Sequence, residues 1–238
     1  MRAIFALSLR QFSGKWRLSL VTLLTSLPAI MTLVVRLVEA DIPEDFAEVM
    51  LDGMFVSAIL PIVTMTLATA AFGNEVEDRT LSYLVLNPLP RLYIAFPKMM
   101  ASVAVAGPLM VVSGVVVVVL ALDGRVGTSL AVVAGLFAGV AAYSAIFTWA
   151  GLVARYALGY ALVYVFLWEG VVARFAPGVN YLSVRSYALS IMYGIDKSGL
   201  TAFEESAIEL PAAVGGAAVV TIGFLWLTVR RLQRMDVP

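Results

Sequence analysis

The sequence predicts an all-α integral membrane protein with six transmembrane helices, and three observations predict it. Of 238 residues, 61% are hydrophobic and 13% charged, with a mean hydropathy of +0.95. Soluble domains hold about 45–50% apolar and about 25% charged residues. The apolar residues fall into six separate stretches, and Lys and Arg divide unevenly between the connections that alternate from one membrane face to the other. A bundle of this size is one unit, so 1–238 reads as a single transmembrane domain.

The chain has no cysteine and no histidine. That excludes disulfides, thiol chemistry, Cys/His zinc sites and His-based acid–base catalysis. Net charge is zero, so nothing favours a nucleic-acid partner.

Residues 1–17 read as an amphipathic elbow helix lying in the membrane interface. Phe5, Leu9, Phe12 and Trp16 recur at i, i+4, i+7 and i+11 and form one apolar stripe. Arg10 and Arg17 lie to one side, within reach of lipid phosphates. A secretory signal peptide is the rival reading. Against it, 18–35 is long for an apolar signal region, and no small-x-small cleavage site followed by a soluble domain appears.

The six spans are 18–35, 54–72, 99–122, 128–153, 156–172 and 210–229. Each is near the ~17–25 residues that cross ~30 Å of hydrocarbon. The valine run at 115–119 would suit a strand in water, but lipid forbids an unpaired strand. Pro28, Pro61 and Pro108 fall inside spans, where kinks are tolerated.

With the N-terminus in the cytoplasm, eleven of the sixteen Lys and Arg lie on inner segments. The first outer region instead collects Glu39, Asp41, Glu44, Asp45, Glu48 and Asp52. The positive-inside rule therefore places both termini in the cytoplasm of a multi-pass cell-membrane protein, the inner membrane of a prokaryote. Residues 123–127 make a tight outer turn, and Ala154 with Arg155 an equally tight inner one. Two connections have room for structure of their own. The outer one, 174–209, reads as a short helical hairpin lying at the interface or re-entering from it, broken at Ala176-Pro177-Gly178.

The inner connection, 73–98, is the densest cluster of charge. Asn74 suits an N-cap, Glu77 three residues later completes a capping-box-like pair, and Asn87-Pro88 ends the segment. Glu75, Glu77 and Asp78 complement the start of the helix so formed. Tyr83, Leu84, Val85 and Leu86 add apolar surface to a cytoplasmic loop, which suggests a docking partner over a merely solvated loop.

Glu75, Glu77, Arg79, Thr80, Leu81, Leu84, Pro88, Arg91 and Lys98 together resemble the first cytoplasmic loop of ATP-binding cassette (ABC) permeases of the type-2 exporter class. Asp78-Arg79 stands where Gly often precedes the Thr, and Pro90 is a second proline. The overall plan of elbow helix, six spans and outer re-entrant hairpin resembles that family too. The resemblance implies a coupling helix at about 75–86, between spans 2 and 3, that docks on a separate ATPase subunit through Glu75, Glu77, Asp78, Arg79, Thr80, Leu81, Tyr83, Leu84, Pro88, Arg91 and Lys98. It implies two ATPase copies and a second permease chain, identical or sibling. ATP and Mg would be bound by the partner, since this chain has no Gly-x-x-x-x-Gly-Lys-Ser/Thr loop.

Glu169 is the carboxylate inside an apolar stretch, with Arg174 beyond it. Its bland reading is a structural or ion-paired residue near the outer end of its span; its functional reading is an outer gate with Arg174. Gly135-x-x-x-Gly139 permits close helix packing without naming a partner. Enzymatic chemistry lacks residues to carry it. A gradient-driven transporter or channel is the alternative, but lacks charged midplane sites apart from Glu169. The leading expectation is a non-catalytic permease subunit of an exporter for hydrophobic, amphipathic or lipid-like cargo, in contact with membrane lipid.

Overall fold

The computed structural model describes residues 2–12, 14–38, 46–47, 49–78, 89–154, 156–172 and 179–234. The described residues are mostly helical, with no strand among them. Among them, five helices are long and apolar enough to cross a membrane. They are α2 (Lys15–Val38), α3 (Val49–Glu77), α4 (Leu92–Ala121), α5 (Val126–Val153) and α8 (Leu210–Gln233). The shorter helices include α1 (Arg2–Phe12), α6 (Ala157–Val163, continuing as π-turns over Tyr164–Val172) and α7 (Val184–Ile195), with short 3-10 turns at Val179–Leu182 and Thr201–Ser206.

A helix stands where the elbow is expected, but it is shorter than 1–17. α1 ends at Phe12, and Lys15 already belongs to α2. Phe12 is buried, and Phe5 and Leu9 pack against the same core. Trp16 is 91% exposed. The break near Gly14 resets the helical phase, so Trp16 leaves the stripe that its spacing predicts. Arg10 is exposed, and Arg17 lies within α2.

α3 and α5 are the centre of the bundle: 78% and 67% of their most apolar windows are buried, against 22% for α2 and 17% for α8. α5 packs against α3, α4, α7 and α8. Gly151 lets its backbone meet α3, because a Cβ there would collide with the Thr69 carbonyl. Threonines on α2 and α3 return their hydroxyls to the preceding turn, as Thr64 does to the Leu60 carbonyl at 2.7 Å. Thr25, Thr32, Thr64, Thr66 and Thr69 are thereby satisfied within their own helices. The first part of α3, Val49–Ile59, is π-wound. That winding gives way at Pro61, which has no N–H to continue the ladder.

Helices α2 to α5 run alternately up and down. Ile4, Phe72, Ile94, Leu152 and Leu232 meet in one cluster, so the start of α1 and the end of α8 lie at the same end of the bundle, the α1 end. α8 starts at the far end, where Leu210 abuts Gly194. The chain between α5 and α8 must therefore climb the bundle once. It does so in two half-length pieces, α6 and then α7. Asp196 at the end of α7 meets Thr128 at the far end of α5, while Ala188 lies against Gly135 and Gly139. The start of α7 thus reaches roughly 16 Å or more down α5.

Two further expectations are revised. α4 begins at Leu92, so Lys98 lies inside the helix and is buried rather than at its watery mouth. Asn74 is no N-cap: it sits within α3, and its carbonyl accepts the Asp78 N–H at 2.8 Å. A helix leaving lipid takes on polar residues before it ends, and that change of composition imitates a new start. Residues 75–77 thus continue α3; the rest of the implied coupling helix, 79–86, lies outside the described residues.

Candidate functional site

At the α1 end, Glu75 closes the last turns of α3 and Lys98 lies in the second turn of α4, with the charged loop strung between them. Lys98, 2% exposed, donates its Nζ to Glu75 Oε1 at 2.5 Å and to the Ala71 carbonyl. It also stands 4.8 Å from the centroid of the Phe72 ring. A lysine enclosed among apolar helices keeps its charge only with such partners.

α1 covers this pair. Gln11 Nε2 donates to the Ala70 carbonyl at 3.1 Å, which ties α1 to α3. A cavity of about 160 Å³ lies beneath, lined by Ala3, Ile4, Leu7, Ser8, Glu75 and Lys98. Ser8 Oγ, Gln11 Oε1 and Glu75 Oε2 are buried without a hydrogen-bond partner among the described residues. Room for water is present. The two ends of the charged loop and α1 are thus joined as one block.

Beside that block is a wider cavity of about 490 Å³, between the heads of α2 and α6 and the tail of α3. Arg17, Thr66, Thr69, Asn74, Glu77 and Tyr156 line it. It offers one cation, one anion and several hydroxyls at the mouth of an apolar bundle.

No family model matches the chain, and no curated protein matches it.

The far half of the bundle holds α7 at three points. Glu169, 2% exposed, accepts from Ser183 Oγ at 2.5 Å, from the Val184 N–H at 3.0 Å and from the Tyr164 hydroxyl at 3.3 Å. Ser183 in turn caps the helix by accepting the Ser186 N–H. The carboxylate sits on the positive end of α7, where its burial is offset by donors and dipole. One residue on, Arg185 grips Asp52 with both arms of its guanidinium, at 2.8 and 2.6 Å, and Ser57 at 2.7 Å. At the other end of the helix, Asp196 accepts from Thr128 at 2.5 Å, from Ser198 at 2.9 Å and from the Gly199 N–H at 3.1 Å. These hydrogen bonds, Thr128 first, hold the Asp196 carboxyl below its ordinary range.

This arrangement corrects the expected setting of Glu169. The residue does not lie near the rim with a short path to water; it is sealed by α7, whose start goes deep into the bundle. Arg174, its expected companion, lies outside the described residues. Asp52 and Glu169 both come from π-wound turns. The two glycines serve different neighbours: a Cβ on Gly135 would stand 2.6 Å from the Ala188 carbonyl oxygen of α7, and one on Gly139 2.6 Å from Leu60 of α3.

Of the other residues expected to dock, three are described. Glu77 and Asp78 are exposed at the end of α3, and Arg91 stands at the head of α4. Arg79, Thr80, Leu81, Tyr83, Leu84 and Pro88 lie outside the described residues. Asp52, Arg185, Asp196 and Thr128 were not singled out as site residues by sequence. The legible signal was Ser183, a capping residue just ahead of an amphipathic run.

Proposed function

We propose that this chain is the membrane subunit of an ATP-driven ABC exporter of the type-2 class, in which a separate ATPase drives transport by gripping the charged loop. The observation that carries the reading is the Glu75–Lys98 pair, which fastens the two helices flanking that loop to each other beneath α1, itself tied to α3 by Gln11. A push on the loop would then move α1, α3 and α4 together, as a coupling handle requires. In this reading the α1 end faces the cytoplasm, and α6 with α7 makes the fifth of six crossings in two halves. Two permease chains would pair, each receiving one ATPase that binds ATP and Mg. The cavity lined by Arg17, Asn74 and Glu77 is where amphipathic cargo would gather, and α7 is the outer gate. Glu169, fully engaged by the start of α7, then serves to hold the gate.

The test is affinity purification of the chain from its host in mild detergent, with mass spectrometry of what accompanies it. A stoichiometric soluble ATPase is expected, and it should be lost in the Leu81→Asp/Leu84→Asp double variant. A chain that purifies alone and moves solute in proteoliposomes without ATP would overturn the proposal. The gradient-driven alternative would then hold, and Glu169 would be its proton-carrying candidate.

A further inference from the structure

At the α1 end, on the flank formed by α5 and α8, Arg230, Arg231 and Arg234 converge with Trp149, Val153 and Leu227 on a cavity of about 340 Å³. All three arginines are exposed, and among the described residues none has a carboxylate within 4.0 Å. They differ in this from Arg185, which is consumed by Asp52. The guanidinium of Arg230 lies 5.0 Å from the centroid of Trp226, and Trp149 is braced edge-on by Phe224 at 5.5 Å. The walls toward the bundle are apolar or aromatic and the rim is cationic.

The geometry points to a binding site here for an anionic phospholipid of the leaflet at the α1 end. The last turn of a membrane-spanning helix stands at headgroup depth, where tryptophan is at home and a phosphate is the prevailing anion. Arginine forks match phosphate oxygens in pairs, and three of them facing one cavity exceed what fixing the orientation of a helix requires. Trp149, Val153 and Leu227 give the glycerol and upper acyl carbons an apolar wall. A second cationic lipid would be repelled, and a zwitterionic one would bring a positive group into an already positive pocket. Phosphatidylglycerol-like headgroups, which carry one net negative charge and no cation, fit best. The site is separate from the loop and from α7, so it stands whether or not the transport proposal does.

The experiment measures thermal unfolding of the full chain in neutral detergent, titrated with short-chain phosphatidylglycerol, with phosphatidylcholine, or with glycerol phosphate alone. Phosphatidylglycerol is expected to stabilise saturably and the other two to do little. In Arg230→Gln/Arg231→Gln/Arg234→Gln the apparent affinity for phosphatidylglycerol should fall about a hundredfold. The Lys triple variant, which keeps the charge but not the fork, should show a smaller loss and guards against a Gln variant that does not fold. Equal stabilisation of the wild type by phosphatidylcholine would overturn the proposal, and so would an unchanged affinity in either triple variant. Stabilisation by glycerol phosphate as strong as by the lipid would show a free-phosphate site instead and would equally overturn it.

Discussion

Lys98 and Glu75, 23 positions apart, bond at 2.5 Å beneath the first helix and close the charged loop into a ring. Lys98 is 2% exposed and Glu75 13%. Each charge meets the other where little water reaches, so the pair ties the end of α3 to the start of α4.

Removing one partner should therefore cost more than removing both. Lys98→Met leaves the Glu75 carboxylate enclosed and should destabilise the chain by about 3–5 kcal/mol. Glu75→Gln combined with Lys98→Met should recover much of that loss. Thermal unfolding of the four chains in detergent completes the cycle. Additive losses would mean that the two charges do not depend on each other.

Much of this architecture was legible in advance. Five apolar stretches are helices long enough to span, the 123–127 turn is tight, and the stripe from Phe5 to Phe12 faces inward. Helix ends were less legible, because lipid imposes a hydropathy boundary and not a hydrogen-bonding one. α4 starts seven residues before its apolar stretch, and α3 runs on through Asn74 and Glu75. Residue type alone could not show that Lys98 points inward, since a lysine near a membrane face usually reaches water. The clamp on α7 was illegible for another reason. Asp52 and Arg185 lie 133 positions apart, and only the folded bundle brings them together.

The far-end clamp carries a pH dependence of definite sign. Hydrogen bonds from Thr128, Ser198 and Gly199 lower the folded-state pKa of Asp196 below its ordinary value of 3.8. Its contribution to stability is then fully present above that ordinary value and is lost as pH falls through the depressed one. Acid titration should loosen the junction of α7 with α5 only below about pH 4. The chain has no cysteine, so Leu200→Cys, buried beside the junction and no donor to Asp196, reports its accessibility when read with a pyridyl disulfide, which reacts with thiols in acid. Thr128→Val should raise the pH at which labelling accelerates. A labelling profile identical in the variant would show that this hydrogen bond does not hold the junction.

Glu169 decides between a held gate and a travelling proton. Its carboxylate receives donors from Ser183, Val184 and Tyr164, and every one of them loses its partner in Glu169→Leu. Each buried donor left unmade costs about 1–3 kcal/mol, so that variant should be strongly destabilised and its α7 should detach. Glu169→Gln keeps an acceptor oxygen for the start of α7 but cannot bind and release a proton. It should fold with a loss of about 1 kcal/mol. In reconstituted vesicles driven by a partner ATPase, Gln should retain transport and Leu should not, because what matters is the hold on α7. Transport abolished by Gln, with unfolding unchanged, would instead make proton exchange at Glu169 the working step. That result would move the energy source from the loop to the gradient.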